Sequence, residues 1–82
     1  MLKSEKFPIA NFYVPVKRRA TLNPDTAREI AESILEIGQQ TPVLVRQDGE
    51  RLVLIEGLHR LEACRLLGEA TIVGHLVQAR RH

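Results

Sequence analysis

Two short apolar runs on either side of a turn signal constrain the fold more than any other feature of this sequence. Residues 43–45 (Val-Leu-Val) and 52–55 (Leu-Val-Leu-Ile) are rich in the residue types that favour β-strands. The Asp48-Gly49 pair between them is typical of a β-hairpin turn. Because both runs are continuously apolar rather than alternating, we expect both faces of the sheet to be covered, with helices as the cover.

The stretch before this hairpin predicts a helix with clear ends. Asn23 is a favourable N-cap residue, Pro24 suits the first helical position, and Asp25 complements the helix dipole. Gly38 is the expected end of the helix. Apolar residues at helical spacing predict one buried stripe, formed by Ala27, Ile30, Ala31, Ile34 and Leu35.

A second helix and two outer strands complete the predicted elements. The helix extends from roughly residue 59 to residue 67, and its core side is formed by Leu61, Cys64 and Leu67. The first strand covers residues 12–16, with Pro15 near its end, and the last one opens at Thr71 with a bulge at Gly74.

The predicted order is therefore strand, helix, strand, strand, helix, strand. Parallel and antiparallel neighbours must mix in such a sheet, which makes an α+β domain with a small mixed sheet and two main helices. We expect one domain over residues 1–82, with a core from about residue 12 to residue 78.

Composition limits the class of protein. The 82 residues are 44% hydrophobic and 27% charged, and the apolar runs are too short to cross a bilayer. Residues 1–6 lack the apolar stretch of a signal peptide, and the single Cys64 excludes an internal disulfide and paired zinc cysteines. We therefore predict a soluble cytoplasmic protein in which Cys64 is a small buried hydrophobe. Chains of this size are often stabilised by self-association, so a homodimer is one expected state.

The charge is distributed unevenly although its net value is only +2. Residues 1–20 carry +4, residues 21–79 carry −4, and Arg80 and Arg81 add +2. Basic ends of this kind suit the phosphates of DNA or of a nucleotide, and they also occur simply as solvated charge. The candidates for nucleic-acid contact are Lys17, Arg18 and Arg19.

The turn between the second strand of the hairpin and the second helix is where chemistry is most expected. Gly57 can adopt a positive φ and lets a ligand approach the backbone, and the helix that follows leaves amide donors unpaired. Such helix starts attract anions. Arg60 could bind a phosphate there, with His59 as a further donor or an acid–base group. The alternative is that Arg60 forms a surface ion pair with Glu56 or Glu62 and that His59 only caps the turn.

Two motifs border the predicted hairpin. Residues 57–63 read Gly-Leu-His-Arg-Leu-Glu-Ala, and residues 39–46 read Gln-Gln-Thr-Pro-Val-Leu-Val-Arg. In their order and spacing these motifs resemble those of the ParB/sulfiredoxin superfamily, specifically the N-terminal ParB-like domain. The resemblance extends from about residue 13 to residue 77.

The resemblance implies nucleotide binding, because the equivalent turn holds the triphosphate of CTP in ParB and the phosphates of ATP in sulfiredoxin. CTP or ATP, with magnesium, would be the cofactor. The implied phosphate-binding residues are Gly57, Leu58, His59 and Arg60. The residues bordering the nucleotide would be Thr41, Pro42, Arg46 and, on the first helix, Ser33.

The sequence also departs from both relatives. Sulfiredoxin requires a cysteine where this chain has Leu58, so that activity is excluded because leucine cannot act as a nucleophile. ParB has an arginine at the position of His59 and continues into a helix-turn-helix, whereas this sequence ends at His82.

Three functions remain open at this point. The first is a ParB-like nucleotide-binding module associated with DNA or with regulation, related to partition proteins. The second is a small metal-dependent nuclease or phosphotransferase in which His59 or Glu56 is the acid–base residue, although we identify no metal-ligand set. The third is a degenerate domain that binds DNA or a protein without a nucleotide.

Overall fold

The computed structural model describes residues 4–39 and 41–77 as a five-stranded sheet with helices. The strands are β1 (Ser4–Pro8), β2 (Phe12–Tyr13), β3 (Val43–Asp48), β4 (Arg51–Glu56) and β5 (Thr71–Leu76). The helices are α1 (Val16–Arg19), α2 (Pro24–Ile37) and α3 (Leu58–Leu66), and a 3-10 turn covers Ile9–Asn11.

The sheet is mixed, as predicted. Its strand order is β1-β5-β3-β4-β2. The pairs β1–β5 and β3–β4 are antiparallel, whereas β3–β5 and β2–β4 are parallel. Helices α2 and α3 pack against each other, and α3 contacts β3 and β5. The predicted α+β class is confirmed.

The central hairpin forms where the sequence places it. Asp48 pairs with Arg51, so the two-residue loop is Gly49 and Glu50, and Gly49 has a φ of +62°. The register of β3 against β4 shifts between Leu44 and Val45, so the bulge lies there and not at Gly74. The bulge predicted at Gly74 was therefore wrong.

Gly74 instead allows β5 to pack closely. A Cβ atom at this position would lie 3.0 Å from Cγ2 and from the carbonyl oxygen of Val43, and 3.2 Å from the ring of Phe7. The residue is buried within a regular register, so the glycine is explained by contact with neighbouring strands rather than by an irregular backbone.

The core lies on one face of the sheet. Alternate hairpin residues Val43 and Val45 are fully buried, whereas Leu44 between them is half-buried. On the opposite face Val53 is 7% exposed, but Ile55 remains half-buried. Complete cover of both faces, which the continuous apolar runs predicted, is thus only partly observed.

Helix α2 has the predicted ends. The Asn23 side-chain oxygen accepts hydrogen bonds from the amides of Asp25 (2.9 Å) and Thr26 (3.3 Å), and Gly38 follows the last turn with a φ of +80°. Ala27 and Ala31 are buried, but Leu35 is 74% exposed. The predicted stripe was therefore wrong at Leu35, which lies beyond the edge of the packed face.

The first 20 residues differ most from the prediction. Strand β1 was missed, and Phe7 and Ile9, which lie outside the predicted core limits, are 8% and 5% exposed. The strand predicted over residues 12–16 has only two residues, and the basic cluster forms α1. In the part of the chain that the structure describes, no helix has the length and apolar character that membrane crossing requires.

Candidate functional site

The turn that joins β4 to α3 depends on Gly57. This residue has a φ of +114°, in the left-handed region that favours glycine. A Cβ atom here would also lie 2.5 Å from Cγ1 and 2.9 Å from Cβ of Val43, a fully buried core residue. Both the backbone conformation and the available space therefore require glycine.

Helix α3 begins without a cap. Gly57 offers no side chain, and the first amide with a backbone acceptor is that of Leu61, which donates to the Gly57 carbonyl at 2.9 Å. Among residues 4–39 and 41–77, the amides of Leu58, His59 and Arg60 have no acceptor. Three donors at the positive end of a helix thus remain available for an anion.

His59 connects the two helices. Its Nε2 accepts a hydrogen bond of 3.0 Å from the backbone amide of Asn23, the N-cap residue of α2. A neutral imidazole whose Nε2 accepts carries its proton on Nδ1, so Nδ1 is the nitrogen that can donate. This geometry fixes the imidazole beside the first turn of α3.

Arg60 has no ion-pair partner in the described residues. The salt bridges there join Arg28 to Asp25 and Arg51 to Asp48, both at 3.1 Å. Arg60 is half-buried and does not pair with Glu56 or with its neighbours on α3, so the surface ion pair considered as an alternative is not observed.

Two small clefts lie side by side between α2 and the Gly57 turn, and Ile30 and Arg60 contribute to both. The first, about 260 Å³, is lined by Thr26, Ile30, Gly57, Leu58, His59 and Arg60. The second, about 220 Å³, is lined by Ile30, Ser33, Ile34, Gly38, Gln39, Thr41 and Arg60. The structure therefore brings Ser33 and Thr41 into the same region as the Gly57–Arg60 turn.

Other predicted residues lie elsewhere. Arg46 pairs with Val53 in the β3–β4 ladder and lines neither cleft. Pro42 is half-buried directly before β3, and Glu56 is exposed at the end of β4, also outside both linings. The sequence analysis assigned Pro42 and Arg46 by their positions in a motif and Glu56 as an acid beside the turn. Neither criterion determines where a side chain points.

Thr26 was missed by the sequence analysis. It lines the first cleft and lies on the same side of α2 as Ile30 and Ser33. The spacing of 26, 30 and 33 is one helical face, so projecting polar residues onto α2 together with Ser33 would have found it.

A larger cavity of about 510 Å³ lies on the other side of α3. Arg19 from the basic cluster borders it and donates from Nε to the Val14 carbonyl at 2.9 Å. The lining consists of Phe12, Tyr13, Val14, Arg19, Leu22, Leu58, Leu61, Glu62 and Arg65. Leu58 borders this cavity and the first cleft, so the start of α3 lies between the two.

The two clefts are poor in metal ligands. They offer the hydroxyls of Thr26, Ser33 and Thr41, but no carboxylate appears in either lining. Magnesium usually requires one or two carboxylates in addition to phosphate oxygens. No group of three His, Cys, Asp or Glu residues suited to a metal occurs within residues 4–39 and 41–77. The cleft residues therefore do not form a magnesium site of their own.

Cys64 is part of the core, as predicted. It is 3% exposed, and burial together with the charge of Glu69 raises the pKa of its thiol. A buried thiol with a raised pKa is a weak nucleophile, so this residue does not replace the cysteine that Leu58 displaces.

Solved structures share this fold. Sulfiredoxin from Arabidopsis thaliana superposes with a TM-score of 0.83 at 26% identity, over 94% of this chain and 86% of its own. A C-terminally truncated chromosome-partitioning protein ParB from Caulobacter crescentus, complexed with CTP-gamma-S, gives 0.77 at 23% identity, over 98% of this chain and 46% of its own. A free serine kinase variant in complex with AMP gives a TM-score of 0.77 at 14% identity, over 90% of this chain and 30% of its own. The chain thus spans less than half of the ParB and kinase chains.

Sequence comparison identifies the family. No curated protein sequence matches the chain significantly. The sequence model of the ParB N-terminal domain matches residues 5–81, which is nearly the whole chain and includes both motifs. Because this match covers nearly the whole chain, the chain belongs to the ParB N-terminal domain family.

Proposed function

We propose that this chain is a partition-related module that binds the phosphates of CTP or ATP at the start of α3. The phosphates would lie against the amides of Leu58, His59 and Arg60, in the cleft that these residues share with Thr26. The nucleotide would extend toward Ser33 and Thr41, which line the adjoining cleft.

The observation that carries this proposal is the contrast between the two helix starts. The first amides of α2 donate to the Asn23 side chain. Those of α3 have no acceptor among the described residues, and the neighbouring guanidinium of Arg60 has no ion pair there. An unpaired cation next to a positive helix end is unfavourable unless an anion neutralises both.

The chemistry of the other cleft residues suits a phosphate. The Nδ1–H of His59 can donate while Nε2 is held by Asn23. Arg60 offers paired donors that match two phosphate oxygens, and Thr26 adds a hydroxyl. None of the lining side chains is acidic, so no charge repels the ligand.

The relatives support the same ligand class. The ParB structure contains CTP-gamma-S and the kinase structure contains AMP, and both share the fold of this chain. Because the clefts provide no carboxylate for magnesium, any metal would be held chiefly by the phosphates of the nucleotide. Hydrolysis is not part of the proposal.

Titration with nucleotides tests the proposal. Calorimetry with CTP, ATP, ADP and GTP, with and without magnesium, should give binding, and the amide resonances of residues 57–61 should shift. In Arg60→Ala the affinity should fall by about tenfold or more, because a charge-assisted contact contributes about 1.5–3 kcal/mol.

Arg28→Ala provides the matched control. Arg28 is exposed on the opposite side of α2 and pairs with Asp25, so its loss removes the same charge without touching the clefts. The proposal fails if no nucleotide perturbs residues 57–61, or if the two arginine variants weaken binding equally.

We propose DNA association as a second function, favoured by the exposed basic residues of α1. Lys17, Arg18 and Arg19 are all exposed, and the side chains of Lys17 and Arg18 have no partner in the described residues. Binding to duplex DNA should weaken steeply with salt, and a Lys17→Ala, Arg18→Ala double variant should flatten that dependence. Salt-insensitive binding, or the same salt slope in the variant, would exclude α1 as the contact.

A further inference from the structure

The side chain of Gln39 forms hydrogen bonds to β5 that resemble those of a backbone residue in a neighbouring strand. Its Nε2 donates to the Val73 carbonyl at 2.8 Å, and its Oε1 accepts from the Val73 amide at 2.9 Å. Val43 is the first residue of β3 and pairs with Gly74, so Val73 lies just beyond the backbone partners that β3 provides. The carboxamide thus pairs with β5 as a strand residue would.

The same carboxamide also fixes the loop in which it lies. Nε2 also donates its other hydrogen atom to the carbonyl oxygen of Thr41, at 3.0 Å. Both N–H donors and the oxygen acceptor of the Gln39 carboxamide are therefore used. Only one orientation of the carboxamide satisfies Val73. In the flipped orientation Nε2 would face the Val73 amide, donor against donor, and Oε1 would face the Val73 carbonyl, acceptor against acceptor. Gln39 and Thr41 are therefore held at a defined position relative to β5.

This loop forms one wall of the proposed nucleotide site. Gly38, Gln39 and Thr41 line the second cleft opposite Ser33 and Arg60. Since Pro42 has no amide hydrogen, it cannot extend the β3 ladder to hold the wall in place. The two bonds between Gln39 and Val73 instead connect this loop to β5.

We propose that Gln39 is a positioning residue whose clamp on Val73 and Thr41 holds the cleft wall in its ligand-binding position, an inference that rests on nucleotide binding at this cleft. A wall that is free to move would have to be ordered when the ligand binds, and that cost reduces affinity. By thermodynamic reciprocity, a bound nucleotide stabilises the clamp in turn.

Gln39→Glu tests the clamp with almost no change in shape. The carboxylate has no N–H, so it would face the carbonyl oxygens of Val73 and Thr41 without donating to either. The dissociation constant for CTP or ATP should rise by about fivefold or more, which is the lower end of typical coupling between sites. In the wild type, saturating nucleotide should slow hydrogen exchange of the Val73 amide, and in the variant this slowing should disappear.

Gln47→Glu is the matched control. Gln47 donates from Nε2 to the Gly49 carbonyl at 2.6 Å in the hairpin, so the same chemical change occurs outside both cleft linings. It should change neither nucleotide affinity nor exchange at Val73. If Gln39→Glu does not fold, Gln39→Asn decides the matter, because its carboxamide is one methylene too short to reach Val73 and should weaken binding similarly.

The outcomes separate the two proposals. Nucleotide binding that is equal in the wild type and in folded Gln39 variants overturns the positioning role and leaves the nucleotide site intact. Binding that is lost equally in the Gln39 and Gln47 variants also overturns it. A wild-type chain that binds no nucleotide overturns the proposed function and, with it, this inference.

Discussion

The backbone amide of Asn23 donates a hydrogen bond of 3.0 Å to Nε2 of His59, across 36 positions of the sequence. The same residue caps α2 through its side chain, so the starts of α2 and α3 are fixed relative to each other by one residue. The first cleft lies at this junction. His59 is therefore both a candidate ligand-binding residue and part of the frame that positions the site.

The first prediction concerns the tautomer of His59. Because Nε2 accepts from Asn23, the neutral ring should carry its proton on Nδ1. Long-range nitrogen–proton correlation spectra of labelled protein, recorded above the range in which histidines protonate, should show this form. Asn23→Ser should leave the tautomer unchanged, since the donor is the main chain and serine also caps helices. A His59 ring protonated on Nε2 would contradict the structure.

Truncation of His59 should also lower stability. His59→Ala removes one net hydrogen bond, which contributes about 0.5–1.5 kcal/mol. For a domain of this size each kcal/mol lowers Tm by about 4–8 °C, a shift that thermal unfolding readily resolves. An unchanged Tm would mean that the bond to Asn23 contributes nothing to the packing of α2 against α3.

The second prediction compares two glycines with positive φ. Gly57→Ala should lower the free energy of unfolding by more than about 3 kcal/mol, because it adds a clash with Val43 to the strain of the left-handed backbone. Gly68→Ala is the control, because Gly68 has a φ of +73° and nothing within 4 Å of the added Cβ. It should cost only about 1 kcal/mol. Urea unfolding measures both, and equal costs would refute the role of the Val43 contact.

The helix ends and the hairpin could be predicted from the sequence because their signals are local. Asn23 and Gly38 act within a few residues of their own position, and Gly49 opens the hairpin loop in the same way. The turn at Gly57 was predicted because glycine can adopt a positive φ. Its contact with Val43, by contrast, depends on how β3 and α3 meet, which no local pattern encodes.

The edge strand and the clamp could not be predicted because their partners are distant in sequence. Strand β1 reads Ser-Glu-Lys-Phe-Pro, a polar stretch with one apolar residue, and it becomes a strand because Phe7 pairs with Ile72 and enters the core. Gln39 likewise meets Val73 only after β5 has joined the sheet. In both cases tertiary pairing outweighs a weak local preference.

The third prediction follows from the limits of the buried face of α2. Leu35→Gln should change the free energy of unfolding by less than about 0.5 kcal/mol, because Leu35 is 74% exposed. Ala31→Gln should cost about 1–3 kcal/mol or more, because Ala31 is 6% exposed and a longer polar side chain would overpack the α2–α3 contact. Chemical denaturation of both variants measures this contrast. A large loss at Leu35 would indicate that another surface covers it.

The fourth prediction concerns the buried thiol of Cys64 and pH. Burial, and to a smaller extent the charge of Glu69, raises the pKa of this thiol above its ordinary value of 9.0. The native state therefore holds the proton more tightly than the unfolded state does. The stability that this provides is complete below pH 9.0 and is lost as the pH rises through the native pKa.

Unfolding titrations at increasing pH should show this loss, and they should show it to depend on Cys64. In Cys64→Ala the alkaline decline attributable to the thiol should disappear, although the variant starts from a lower stability because a small cavity replaces the sulfur. Glu69→Gln should reduce the decline only partly, since burial is the larger cause of the raised pKa. Alkylation should agree, with native Cys64 reacting far more slowly than in urea at the same pH. Rapid alkylation of the native chain, or an alkaline decline identical in Cys64→Ala, would show that the thiol ionises freely and is not held neutral by the core.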